Sequence, residues 1–125
     1  HGDVGFEQTN FGTSYWGTAA LYARVQPVSW LYLAARGDAF REHAATSTRG
    51  TASRLFWPAD TLASGTFTAD FRPHSNLSFR LEYRHDQADA DMFFAGTVSG
   101  DGVATPYVPN AESQDTLTAG LTGWF

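Results

Sequence analysis

Five segments of this chain alternate residue by residue between two chemistries, and a period of two admits only extended strands with unlike faces. Along Tyr15–Val25, one set is Tyr15, Gly17, Ala19, Leu21, Ala23 and Val25, while Trp16, Thr18, Tyr22 and Arg24 lie between them. Ser29–Ala39 sets Leu31, Leu33, Ala35, Gly37 and Ala39 against Tyr32, Ala34, Arg36 and Asp38. Ala63–Arg72 sets Ala63, Gly65, Phe67, Ala69 and Phe71 against Ser64, Thr66, Thr68, Asp70 and Arg72. Leu77–Asp86 sets Leu77, Phe79, Leu81 and Tyr83 against Ser78, Arg80, Glu82, Arg84 and Asp86. Asp115–Phe125 closes the series with Leu117, Ala119, Leu121, Gly123 and Phe125 against Thr116, Thr118, Gly120, Thr122 and Trp124. Each segment is near the roughly 9–11 residues of a tilted membrane-crossing strand. Asp3–Thr9 carries a weaker version of the pattern and is expected to be a sixth strand.

The connections alternate between short and long. Gln26-Pro27-Val28 and Pro73-His74-Ser75-Asn76 are expected to be tight turns, since Pro and Asn supply the restricted or left-handed backbone that such turns use. The links 43–61 and 87–114 are long and polar. Short turns at one end and long loops at the other is the layout of outer-membrane barrels, in which the long loops are extracellular. A turn centred on Ser75 would set Asp70 opposite Arg80 and Phe71 opposite Phe79, both favourable cross-strand pairs.

Composition separates a membrane barrel from a soluble sandwich. Aromatic residues make up 15% of the 125 and charged residues only 17%, against about 25% charged in ordinary soluble domains. The apolar face is built of small residues, including Gly17, Gly65 and Gly123. A close-packed protein core would want larger aliphatics there, whereas lipid fills space by itself. No apolar run approaches the roughly 20 residues of a transmembrane helix. Aromatics cluster toward strand ends, as interface belts do. Trp30, Phe71, Phe79, Trp124 and Phe125 are expected at the periplasmic level, and Tyr15 and Tyr83 at the outer level.

Several function classes fall away. A formal net charge of -5 argues against nucleic acid as a partner. The chain has no cysteine, hence no disulfide framework and no thiolate metal site. His85-Asp86 with Glu82 could suggest acid-base chemistry, but strand parity turns His85 away from Asp86, and no nucleophile accompanies it. Asp86, Asp89 and Asp91 do not match the spacing of a calcium-binding loop. They read instead as a solvated extracellular loop, with lipopolysaccharide and other outer-membrane lipids as its neighbours. Arg36-Gly37-Asp38 matches an adhesion tripeptide but lies inside an expected strand. His1 could chelate copper only as a true amino terminus, and a cut end is the expectation. No catalytic residue, metal or cofactor is indicated.

The chain also resembles a known family, the OmpL-like β-barrel porins of Gram-negative bacteria. The resemblance is carried by Tyr15-Trp16-Gly17-Thr18-Ala19-Ala20-Leu21-Tyr22-Ala23-Arg24 and by Ala34-Ala35-Arg36-Gly37-Asp38-Ala39-Phe40-Arg41. Leu77-Ser78-Phe79-Arg80-Leu81-Glu82-Tyr83-Arg84-His85-Asp86 is similar to that family's R-x-E-Y-R-H-D segment. Residues 114–125 resemble its closing strand, with Phe125 as the terminal aromatic presented to the barrel-assembly machinery. The resemblance implies the C-terminal part of a longer barrel in the bacterial outer membrane, acting as a passive channel for small hydrophilic solutes.

The expected fold class is therefore all-β, an antiparallel up-and-down transmembrane β-barrel of which this chain supplies about six strands. Six strands do not close a conventional barrel, for which about eight is the minimum. Upstream strands or further chains are expected to complete it. Arg24, Arg36, Asp38, Asp70, Arg72, Arg80, Glu82, Arg84 and Asp86 are the expected pore-lining charges, and with both signs interleaved they predict no strong selectivity. The competing expectation is a structural or assembly component of an outer-membrane complex, without channel activity.

Overall fold

Two-faced segments joined by tight turns form antiparallel neighbours, and the computed structural model, which describes residues 1–125, is built of them. Its strands are β1 (Gly2–Thr9), β2 (Gly12–Val28), β3 (Leu31–His43), β4 (Thr46–Ser47), β5 (Gly50–Thr51), β6 (Thr61–His74), β7 (Leu77–Ala88) and β8 (Ser113–Gly123). Six of them form one sheet in the order β1-β2-β3-β6-β7-β8, all antiparallel, while β4 and β5 make a separate small ribbon. The weak Asp3–Thr9 segment is thus a full strand, paired with β2 from Gly2↔Ala19 to Thr9↔Gly12. Asp70 stands opposite Arg80 and Phe71 opposite Phe79, the register expected from a turn centred on Ser75.

The short turns lie further along than expected. β2 continues through Gln26-Pro27-Val28, and its pairing with β3 skips from Val25 to Val28, so that the turn falls at Ser29-Trp30. Similarly, β6 runs to His74 with pairing that skips from Phe71 to His74, leaving Ser75-Asn76 as the turn. The physical cause is shared. Proline has no N–H for the ladder, and in a bulge the ladder asks for none, so Pro27 and Pro73 mark irregularities inside strands rather than the turns themselves. At the opposite end the β1–β2 connection is also short. Asn10-Phe11 makes that turn, with Gly12 at φ 126° and the Thr9 hydroxyl accepting the Phe11 N–H at 3.1 Å. The alternation of short and long connections therefore holds from β2 onward only.

The sheet has no packed apolar core. Only eight residues are buried, five alanines together with Ser14, Glu42 and Asp86, and no large side chain is fully enclosed. Leu21, Leu117 and Leu121 on the apolar face are 81%, 77% and 71% exposed. Burying side chains of this size is worth about 1.5–3 kcal/mol each, so a face that leaves them bare needs an apolar medium around it. On β2, β3 and β6 the apolar runs cover about nine residues, which at about 3.3 Å per residue and a tilt near 40° span roughly 23 Å, close to the roughly 25 Å apolar band of a membrane barrel.

Candidate functional site

The opposite face carries the charge, and it is concave. A hollow of about 410 Å³ is lined at once by residues of β2, β3, β6 and β7, among them Tyr22, Arg24, Tyr32, Arg36, Arg72 and Arg84. A second hollow of about 530 Å³ shares Asp70, Arg72, Arg80 and Glu82 with it and continues to Thr118, Thr122 and Trp124. Each strand contributes alternate residues to this surface because same-face neighbours recur every second position.

Four arginines pair with acids two residues away on their own strand. The distances are 2.7 Å for Arg36–Asp38, 2.7 Å for Arg72–Asp70, 3.3 Å for Arg80–Glu82 and 2.7 Å for Arg84–Asp86. Each of these acids also accepts from a neighbouring strand: Asp38 from the Ser64 hydroxyl, Glu82 from Thr68, Asp70 from Ser78 and Asp86 from the Gln114 amide. Asp70 and Arg80, although directly opposite in register, are thus not the ion pair expected from it. The long arginine arm carries its head past the facing residue, and the position two along the strand, about 6.8 Å away, matches its reach better. The tripeptide Arg36-Gly37-Asp38 lies within β3 with its two charged ends bonded to each other.

Arg24 differs from these four. It makes no ion pair and instead lies over the Tyr32 ring at 4.4 Å, while Arg72 approaches the same ring at 4.7 Å from the strand on the other side. Cations over a tyrosine face gain about 0.5–1 kcal/mol at exposed positions.

The structure also shows a feature absent from the sequence reading. The 44–60 segment is not a free polar loop but turns onto the charged face. Phe56 packs edge-on against inward-facing Phe40 at 4.8 Å, and Phe40 in turn stacks with Trp16 at 6.5 Å. Buried Glu42 accepts the Leu55 N–H at 2.8 Å, the Ser14 hydroxyl accepts the Ala45 N–H at 3.0 Å, and Arg54 is paired with Asp60. Bonding to Asp60 raises the Arg54 guanidinium above its ordinary range. The signal that would have found this is the apolar run Leu55-Phe56-Trp57-Pro58 inside a loop otherwise read as solvated.

The aromatic positions divide. Trp30 stacks on Phe71 at 6.3 Å and Phe71 lies 6.2 Å from Phe79, giving a row at the short-turn end of the apolar face. Tyr15 stacks on His43 at 4.9 Å toward the other end. Trp124 follows Thr122 onto the charged side, as its place in the alternation requires, and lines the larger hollow. Phe125 is fully exposed at the chain end. His85 points away from Asp86 as expected and meets Asp115 at 2.8 Å, which also accepts from the Tyr83 hydroxyl at 2.6 Å.

These features, a one-layer sheet with a bare apolar face and a charged concave face, agree with the comparison to known proteins. A family model described as "Putative beta-barrel porin-2, OmpL-like" matches residues 1–125, the entire chain. The chain belongs to this family. No curated protein and no solved structure matched it. In a β-barrel porin the apolar surface meets lipid and the charged one faces the lumen; in this porin-family chain the arginine-acid ladder lies on the charged face, toward which the 44–60 segment bends.

Proposed function

We propose that this chain forms part of the wall of a porin-like channel in the bacterial outer membrane, through which small hydrophilic solutes diffuse passively. The observation that carries the reading is the concave face itself. A continuous row of charged and hydroxyl side chains lines two adjoining hollows, while large apolar side chains stand bare on the other side. In this reading the loops 44–60 and 89–112 face outward from the cell, beside lipopolysaccharide, and Phe125 is the terminal aromatic offered to the barrel-assembly machinery. The outer strands β1 and β8 each have only one partner in the sheet. Unpaired strand edges in lipid leave backbone donors and acceptors unsatisfied, so further strands, from the same polypeptide or from others, complete the barrel. No catalytic role is assigned to any side chain.

Planar-bilayer recording with the full natural polypeptide tests the channel. Discrete conductance steps are expected, and they should grow when residues 48–58 are deleted, because that segment bends toward the lumen. Silent bilayers at every voltage would refute the channel and favour a structural or assembly role.

A further inference from the structure

We propose that the hollow around Arg24 is a binding subsite for the carboxylate or similar oxyanion group of anionic solutes, with Arg24 as its specificity-determining residue. This deepens the channel reading and rests on it for its consequence in transport.

Counted by formal charge, the inward ladder is nearly neutral, with Arg24, Arg36, Arg72, Arg80 and Arg84 set against Asp38, Asp70, Glu82 and Asp86. What a solute meets, however, depends on depth. In the four ion pairs the acids are recessed, with side chains 25%, 16%, 30% and 11% exposed, while their arginine partners stand out at 57%, 41%, 59% and 46%. The recessed acids are further occupied by hydroxyl or amide donors from the next strand. A solute in the lumen therefore touches guanidinium heads first. The hollow of about 410 Å³ concentrates this asymmetry, for all five arginines line it with only Asp70 and Glu82 among the acids. The remaining inward acids lie elsewhere. Asp3 is on β1 with His1 at 2.7 Å, Glu7 is further along β1, and Glu42 is buried under the 44–60 segment.

Within that ring, Arg24 is the guanidinium with no carboxylate within 4 Å. Its head lies over the Tyr32 ring at 4.4 Å, and its N–H groups make no hydrogen bond to any other residue. They form a planar fork suited to a carboxylate. Tyr22 and Tyr32 line the same hollow and offer hydroxyl groups beside it. The geometry thus selects a hydrophilic solute bearing an oxyanion over a neutral one of equal size.

The test uses the full natural polypeptide in lipid nanodiscs, with glucuronate as probe and glucose as its neutral counterpart, read by titration calorimetry or ligand-observed NMR. Glucuronate is expected to bind and glucose not to. Arg24→Gln should weaken glucuronate binding about tenfold, and Arg24→Lys should weaken it less, since charge survives and the fork does not. Arg41→Gln removes the same charge from the opposite face and should leave binding unchanged. Arg24 is exposed, so its replacement disturbs no packed region. Wild-type affinity in Arg24→Gln, or equal weakening by Arg24→Gln and Arg41→Gln, would overturn the proposal. Binding does not require conduction, so the two readings separate. Arg24-dependent binding with silent bilayers keeps the subsite and removes the channel; conduction without Arg24-dependent binding does the reverse.

Discussion

Gly5 faces Trp16 across the β1–β2 ladder, and the indole lies where a side chain at Gly5 would go: a Cβ there would stand 2.4 Å from the ring. Gly5→Ala must therefore push Trp16 off Gly5 and disturb its stack on Phe40. We expect a loss of about 1 kcal/mol or more, seen as an earlier urea transition in micelles together with shifted Trp16 emission. Unchanged values for both would refute this contact. Asp101 is a second residue with a local role. Its carboxylate accepts the N–H groups of Thr105, Val103 and Ala104, each at 2.9 Å, and these hold its pKa down to about 2. A carboxyl whose folded pKa is depressed stabilises its turn fully above the unfolded value near 4 and loses that contribution as pH falls through 2. Amide protection factors at 103–105, the exchange rates divided into the intrinsic rates at each pH, should persist at pH 4 and fall toward pH 2. Protection already lost at pH 4 would show that the carboxylate does not hold the turn.

At the scale of elements, the 44–60 segment owes its position to a few polar anchors rather than to a core. Glu42 is the central one, buried and bonded to the Leu55 N–H. The Asp60 N–H is bonded to Asp89 at 2.9 Å, tying this segment to the next long connection. Glu42→Ala would orphan a donor at a cost of about 1–3 kcal/mol, charged to this segment alone because the sheet does not depend on it. Limited proteolysis should then cut within 44–60 several-fold faster, with the sheet resistant as before. An unchanged cleavage rate would mean that Phe56 and the buried alanines suffice to hold the segment.

For the whole molecule, the decisive property is which face meets lipid. Trp30 belongs to the apolar side through its stack on Phe71, whereas Trp16 and Trp124 belong to the charged side. In vesicles of brominated lipid, a variant keeping only Trp30 should be strongly quenched, and variants keeping only Trp16 or Trp124 should be quenched little. Quenching of Trp16 equal to that of Trp30 would reverse the assignment of the faces. Asp89, Asp91, Asp101 and Glu112 in the 89–112 connection account for most of the net charge of -5, while the concave face shows guanidinium heads, so overall charge is a poor guide to the field at that face.

The alternation of residue types determined by itself that the chain forms two-faced antiparallel strands, because a period of two has one geometric solution, and it placed all nine charges expected to line a pore on one face. The Asp70↔Arg80 register followed from the position of Ser75. Three things were decided only by tertiary structure. Bulges at Pro27 and Pro73 displaced the turns, since a proline in a short segment reads alike whether it makes a turn or a bulge. Pairing chose partners two residues apart over facing ones, because side-chain reach is a property of three dimensions and not of register. The inward bend of 44–60 and the unpaired head of Arg24 depend on contacts between residues far apart in sequence, such as Phe40 with Phe56 and Arg24 with Tyr32. No local pattern encodes such contacts; they exist only once the sheet has curved.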